Sequence, residues 1–306
     1  MDVALFSHPK YDLHRMSEGH PECPERTQAI LKHFRTTGLL EMVATRESRP
    51  VTPEALARTH QPAYLRSLAD CAPASGLVPI DADTLLAPGS LQAANLAAGA
   101  VEEAVDLVLK GDLKRAFCAG RPPGHHAEFA DAMGFCFFNN VAVAARTALA
   151  HRDIERVAIL DFDVHHGNGT VDIFEKSPEV LVCSSFQHPF YPHRHFDTPG
   201  EHLVHTPLPA RTGSRAFRRA IERDWIPAVE RHRPQLLLVS AGFDAHTRDP
   251  LGQFDLTEDD FTWITGLIVS LANDHAAGRI VSTLEGGYHL GALARSAEAH
   301  LRALLA

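Results

Sequence analysis

The sequence is poor in cysteine, has no excess of basic charge and contains no long apolar run. Its five cysteines, Cys23, Cys71, Cys118, Cys136 and Cys183, are odd in number, and no two are spaced as CxxC. A disulfide framework and a cysteine-based zinc site are therefore not expected, and a reducing cytoplasm is the expected compartment. Lys and Arg total 29 against 38 Asp and Glu, a net charge of -9. No nucleic-acid partner is expected from that balance, whereas cationic substrates stay open. No uninterrupted apolar stretch reaches the roughly 18 residues of a membrane span. Met1 to Lys10 has no basic stretch leading into an apolar one, so neither a signal peptide nor a membrane partner is expected. Several catalytic signatures are also missing. There is no GxSxG nucleophile elbow, no Walker A sequence, no HExxH, and no GxGxxG following a strand.

What is present is an ordinary globular composition, 45% hydrophobic and 22% charged over 306 residues, with the unusual number of 20 histidines. Short apolar runs recur at Val3 to Phe6, Ala116 to Ala119, Val157 to Phe162, Val180 to Phe186, Leu236 to Ala241 and Arg279 to Leu284. Runs such as VAILDFD and LLLVSAGFD are apolar on both faces, as parallel strands covered on each side by helices must be. Helices are predicted between them. Ser90 to Lys110 is Ala-rich, with Ser90 as its expected N-cap and Gly111 closing it. Asn139 to His151 and Ser214 to Arg233 also read as helices, the second with a kink expected at Pro227. Alternating strands and helices predict a doubly wound, mostly parallel α/β sheet flanked by helices. No repeat or linker divides the chain, so residues 1–306 read as a single domain.

In such a sheet ligands bind beyond the carboxyl ends of the strands. Five runs deliver polar residues to that edge: Gly120 to His126, Asp161 to Gly169, Ser184 to Phe186, Ser240 to Asp244, and Glu285 to Tyr288. Asp163 and His165 are two apart, so an extended strand would point both the same way. A carboxylate with an imidazole suits zinc, and Asp244, ending another strand, can complete a three-ligand set with an open position. Any one of these residues alone reads equally well as a cap or a surface group. Carboxylates inside apolar runs, however, are costly unless paired or metal-bound. His125 and His126 follow the stiff Pro122-Pro123-Gly124 turn and fit the roles of acid and base beside such a metal. Asp161 and Asn168 are candidates to hydrogen-bond the far nitrogens of these rings and fix their tautomers. Tyr288 follows two glycines, and its hydroxyl could donate to a developing oxyanion.

This set resembles the zinc-dependent histone deacetylase family, within the arginase/deacetylase fold. The matching stretches are RPPGHHAE, GFCFFNN, VAILDFDVHHGNGT, LVSAGFDAHTRDPLG and LEGGYHL, with HPECPER and DADT nearer the N-terminus. Gly242-Phe243-Asp244, the Asp249 to Gly252 stretch, and Asn168 where class I enzymes carry Asp look like class II and its bacterial amidohydrolase relatives. The resemblance implies one zinc ion held by Asp163, His165 and Asp244, with His126 as general base and then general acid and His125 as its electrostatic neighbour. Tyr288 would polarise the amide carbonyl. A potassium ion is implied near the zinc, at the side chain and carbonyl of Asp161, the carbonyls of Asp163, His165 and Phe186, and the Ser185 hydroxyl. A second monovalent site is implied at the carbonyls of Phe174, Ser177 and Val180. Gly134 and Phe135 match one wall of an acyl-lysine tunnel, and Phe190 or Tyr191 the opposite wall. Arg26 matches an arginine lining an internal channel, and Asp81 or Asp83 would hold the substrate backbone at the rim.

The activity so implied is removal of acetyl or other acyl groups from the side-chain amine of acyl-lysine in a protein or peptide. The alternative is a deacetylase of small amines such as acetylpolyamines. Polyamine-selective relatives carry an acidic gatekeeper seven residues after the third zinc ligand, where Leu251 stands here. A non-catalytic acyl-lysine binder is disfavoured by the retained Asp163, His165, Asp244, His126 and Tyr288. A dimanganese ureohydrolase is disfavoured by the lack of a second set of bridging carboxylates.

Overall fold

The computed structural model describes residues 1–306. Its elements in chain order begin with β1 (Val3–Ser7), α1 (Glu25–Thr36), β2 (Ala44–Glu47), α2 (Pro53–Thr59) and α3 (Pro62–Cys71). A small hairpin, β3 (Val78–Pro79) and β4 (Leu85–Leu86), precedes α4 (Ser90–Lys110), β5 (Arg115–Cys118) and α5 (Asn140–Leu149). Then come β6 (Val157–Asp161), α6 (Asn168–Phe174), β7 (Val180–Gln187), β8 (Leu203–Leu208) and α7 (Ser214–His232). The chain closes with β9 (Leu237–Ala241), α8 (Glu258–His275), β10 (Ile280–Leu284) and α9 (Leu290–Leu305). Eight strands form one sheet in the order β2-β1-β5-β10-β9-β6-β7-β8, and every pairing within it is parallel. No helix is long and apolar enough to cross a membrane.

Alternation along the central strands explains the run of apolar residues. Ala158 and Leu160 face one core layer with α1, α7, α8 and α9. Val157 and Ile159 face the other, packed by α4 and α5. Both faces are dry, so along β6 no polar position appears until Asp161 at its end. The edge strands were not legible in the sequence for the converse reason. β2 reads Ala-Thr-Arg-Glu and is mostly exposed, and β8 contains His205 and Pro207. Proline is tolerated on such an edge because the missing N–H would face no partner.

Local chemistry sets the helix ends. Asn139 caps α5 by accepting from Ala142 N–H, and Thr257 with Asp260 forms a capping box at α8. At α4 the expectation is corrected. Gly89, in the left-handed region at φ 86°, takes the cap position, and the Ser90 hydroxyl pairs instead with His14 Nδ1 at 2.8 Å and accepts from Ala87 N–H. Gly111 closes α4 as expected, also left-handed at φ 82°. The helix α7 continues through Pro227.

The register of the central strands positions the site. Asp161 pairs with Ser184 on one side and Ser240 on the other, and Ser240 pairs with Thr283. Four buried polar residues thus stand level on adjacent strands. Beyond them β6, β9 and β10 end within one residue, whereas β7 runs on beside β8 to Gln187.

Candidate active site

Beyond β5 the chain turns through Gly120 to His126 and is held by buried ion pairs. Arg121 is fully buried. Its Nε donates to Glu22 Oε1 at 2.7 Å, its Nη2 to Glu22 Oε2 at 2.5 Å, and its remaining hydrogens reach the carbonyls of Tyr11 and His14. Glu285, at the end of β10, accepts from Gly124 N–H at 2.6 Å and His125 N–H at 3.1 Å, and from the Ser240 hydroxyl at 3.0 Å. One carboxylate therefore joins the ends of β5, β9 and β10.

The paired imidazoles have different partners and opposite charge preferences. His125 Nδ1 donates to Asp161 Oδ2 at 2.9 Å, and His126 Nδ1 to Asn168 Oδ1 at 2.6 Å. Burial disfavours charge on His125, but Asp161 and Asp163 more than offset it and raise its pKa to about 10. His126 is pushed well below the usual histidine range, first by burial and then by His125 and His165. A charged and a neutral imidazole thus lie with ring centres 4.0 Å apart. Divergent pKa values of this kind separate a stabiliser of negative charge from a base.

Asp163 and His165 meet by a different route from the one their spacing predicts. The strand β6 ends at Asp161, and the next residues form turns closed by side chains. Asp161 Oδ1 accepts from Asp163 N–H at 3.1 Å, and Asp163 Oδ1 from His165 N–H at 2.8 Å. Asp244 Oδ1 accepts from Val164 N–H at 2.9 Å, which draws the end of β9 in. His165 Nδ1 then lies 3.1 Å from Asp163 Oδ1 and 3.1 Å from Asp244 Oδ2.

These three side chains fit a metal ion. Each offers a donor atom, and all three atoms lie within 4.8 Å of one another. Asp244 Oδ2 is buried with no hydrogen-bond partner. Burial, and then the nearby Asp163, push the Asp244 carboxyl up to about 7. Burial also works against the Asp163 carboxylate, but His125 and His165 outweigh it and hold it well below the usual range. Two buried carboxylates converging on one imidazole nitrogen are costly unless a cation shares them. The space is kept by glycine: a Cβ on Gly242 would stand 2.0 Å from Asp163 Oδ2, and one on Gly286 2.0 Å from Asp244 Oδ2.

Above these three side chains opens a cavity of about 400 Å³. Phe190 stacks on the His165 ring at 5.4 Å, and Tyr191 stands edge-on to His126 at 5.2 Å, so both expected aromatics line one wall. Phe135 and Gly134 line the other, with Leu251 and Gln253 also on the lining. Gly134 has φ 57° and lies directly against the His126 ring. Of the two rim aspartates, Asp83 borders this cavity, whereas Asp81 Oδ1 accepts from the N–H groups of Asp83 and Thr84 and closes their turn. Tyr288 borders the cavity too. Asp249 Oδ2 accepts from its N–H at 2.7 Å, and the Arg26 guanidinium lies 4.7 Å over its ring. Burial pushes the phenol well above its usual pKa despite Arg26, so it is a neutral donor. Arg26 itself is buried, donating to the carbonyls of Gly287 and Glu285 and to Glu22 Oε1.

The histone deacetylase domain model matches residues 20–304. The chain belongs to the histone deacetylase family. It is 39% identical over 277 residues to the histone deacetylase-like amidohydrolase of Pseudomonas aeruginosa, covering 88% of this chain and 73% of that one. It is 35% identical to the mouse polyamine deacetylase HDAC10, covering 97% of this chain and 47% of that protein. The crystal structure of the HDA15 HD domain superposes with a TM-score of 0.94 at 33% identity, covering 99% of this chain and 88% of that one. The fold is that of the family, and the chain is an amide hydrolase.

Within this deacetylase domain the residues named for monovalent ions occupy two places. Asp161, Asp163, His165, Ser185 and Phe186 surround the ends of β6 and β7, and the Ser185 hydroxyl is buried without a partner. The Phe174 carbonyl accepts from Ser177 N–H and His202 Nε2, and the Ser177 carbonyl accepts from Val180 N–H. Sequence reasoning assigned no role to Glu22, Arg121, Asp249, Glu285 or Glu128. The only signal was a charged residue within or beside a chemical motif, and their partners lie far away in the chain.

Proposed function

We propose that this deacetylase domain removes acyl groups from the side-chain amine of acyl-lysine in proteins or peptides, using one zinc ion held by Asp163, His165 and Asp244. The observation that carries the reading is the unpartnered, buried Asp244 Oδ2 facing His165 Nδ1 at the base of an aromatic-walled cavity. When bound, zinc would supply a Lewis acid for the amide carbonyl and lower the pKa of water.

The chain's own groups do the rest. Neutral His126, its Nδ1 hydrogen committed to Asn168, offers Nε2 as the base that removes a proton from water. Tyr288 donates its hydroxyl hydrogen to the carbonyl oxygen as negative charge gathers there. Charged His125, anchored on Asp161, stabilises that charge from below. His126 returns the proton to the departing nitrogen. Water is added across the C–N bond, leaving a carboxylate and a free amine. Phe135 and Phe190 would flank the lysine methylenes, and Asp83 would meet the substrate backbone at the rim.

A potassium ion at Asp161, Asp163, His165, Ser185 and Phe186 is part of the same proposal, supported by the partnerless Ser185 hydroxyl. Leu251 on the cavity lining favours acyl-lysine over acetylpolyamines, since it offers a cationic chain no counter-charge.

Elemental analysis and a substrate panel test the reading. One zinc per chain, lost in Asp244→Ala, with kcat/KM highest for acetyl-lysine peptides, is expected. Two transition metals per chain, zinc content unchanged in Asp244→Ala, or a preference for acetylpolyamines would overturn it.

A further inference from the structure

The partner of His126 is an amide, and an amide can be turned either way. Its oxygen would accept a hydrogen from Nδ1 and leave Nε2 free as a base. Its NH2 would instead require an unprotonated Nδ1, placing the ring hydrogen on Nε2. The element that decides between these lies one residue further out. Asn168 Nδ2 donates to Glu128 Oε1 at 2.7 Å and, at the longer distance of 3.3 Å, to the His126 carbonyl, and it lies 3.1 Å from Met133 Sδ. Glu128 is buried. A carboxylate only accepts, and as the shorter, charged acceptor it outweighs the carbonyl in holding the NH2 on its own side and the amide oxygen on the imidazole side.

We propose that Glu128 is a positioning residue for the acid/base histidine: it sets the orientation of the Asn168 amide and, through it, the tautomer of His126. Both Glu128 oxygens are engaged for this task, Oε1 by Asn168 and Oε2 by Arg194 Nη2 at 2.8 Å. Asp172 and His195 lie close enough to Glu128 to suggest an ion site, but the guanidinium already neutralises that carboxylate. Burial pushes the Glu128 carboxyl up, and Asn168 and Arg194 oppose the push. Arg194 belongs to the segment that carries Phe190 and Tyr191, so the same carboxylate ties the cavity wall to the base. The short Asn168 to His126 contact of 2.6 Å marks the end of the chain of contacts.

The inference rests on His126 being the acid/base group, and the test separates the two. Glu128→Ala should lower kcat about tenfold, the worth of one buried hydrogen bond, with KM little changed. Glu128→Gln can still turn its own amide oxygen to Asn168 and loses only the Arg194 ion pair, so its kcat should fall about threefold at most. The decisive pair uses Asn168→Asp, which sets two carboxylates face to face. That variant should be severely impaired with Glu128 present, and Asn168→Asp/Glu128→Gln should recover at least about tenfold, because the glutamine NH2 can donate to the new carboxylate. Ring-nitrogen NMR of 15N-histidine protein, which needs no substrate, should show His126 carrying its hydrogen on Nδ1 in the parent and a mixture in Glu128→Ala.

An unchanged kcat and tautomer in Glu128→Ala, or no recovery in the double variant, would overturn the proposal. If Glu128→Ala does not fold, the Asn168→Asp pair still decides it. If the NMR result holds but no acyl-lysine or acetylamine is turned over, the deacylase reading fails and the tautomer control stands.

Discussion

Gly134→Ala isolates the geometry of the proposed general base, His126, without touching a titratable group. The added Cβ would stand 2.3 Å from His126 Cδ2, 2.7 Å from Cγ and 2.9 Å from Cβ. Carbon atoms settle at about 3.5–4.0 Å, so the ring must retreat by on the order of 1 Å. That displacement cannot be absorbed by the Nδ1 to Asn168 hydrogen bond, already 2.6 Å long. A reacting group misplaced by about 1 Å costs about 10²-fold in rate. The fold should suffer much less. Alanine at φ 57° carries a left-handed penalty of about 1–2 kcal/mol, which lowers Tm by about 2–3 °C in a chain of this size. The proposed zinc ligands lie on other segments, so metal content should stay at the parent level. Steady-state kinetics on an acetyl-lysine peptide, elemental analysis and a thermal melt read the three effects separately. A variant with kcat within about threefold of the parent would refute the placement of His126 against Gly134 as a constraint on catalysis.

Three further outcomes are expected. Tyr288→Phe should keep zinc and fold but lose about 10²-fold or more in kcat with little change in KM, and it should be less impaired on trifluoroacetyl-lysine; near-parent turnover of plain acetyl-lysine would remove the hydroxyl from the reaction. Leu251→Glu should raise kcat/KM for cationic acetylpolyamines by about fivefold, from roughly 1 kcal/mol of attraction at the cavity mouth, and added salt should erase the gain; a salt-independent gain would point to shape instead. Burial works against the Glu22 carboxylate, but Arg121 and His14 outweigh it and hold its pKa well below the usual glutamate value. Its contribution is therefore complete above the unfolded pKa of about 4.3 and lost as pH falls below that. Glu22→Gln should cost about 3–5 kcal/mol at pH 7 by leaving Arg26 and Arg121 without their shared partner, and should flatten the acid limb of a Tm-versus-pH curve; an unchanged acid limb would mean another group governs it.

The central strands and the residues beyond them were legible because burial on both faces leaves an unbroken apolar signature that ends abruptly in polar chemistry. VAILD followed by Phe162 to Gly169 is the clearest case. The edge strands β2 and β8 leave no such mark, since one side meets solvent. The pairing of Asp163 with His165 was anticipated for the wrong reason. Strand alternation predicts a shared face, whereas two consecutive turns closed by Asp161 and Asp163 bring the groups together. Turn closure by a carboxylate is local and could have been read from the Asp-x-Asp-x-His spacing. The Glu22–Arg26–Arg121 network and the Glu128–Asn168 contact could not, because each joins residues whose proximity exists only after the sheet and loops are in place.

The strand order has a consequence for synthesis of the chain. By the time residue 244 has left the ribosome, every proposed metal ligand has been made. Yet β10, which starts at Ile280, separates β5 from β9 in the sheet. Before it arrives, β2-β1-β5 and β9-β6-β7-β8 are two ribbons with no hydrogen-bonded seam between them. Glu285, which holds Gly124 and His125 in place, arrives with the same strand. A chain stopped at residue 279 should therefore neither retain zinc nor resist protease, whereas a cooperative, protected fragment would show that the halves close without their middle strand. Assembly of the site is thus postponed until β10 has been made, and a nascent chain carries the proposed site residues in an unassembled form until the strand that joins them arrives.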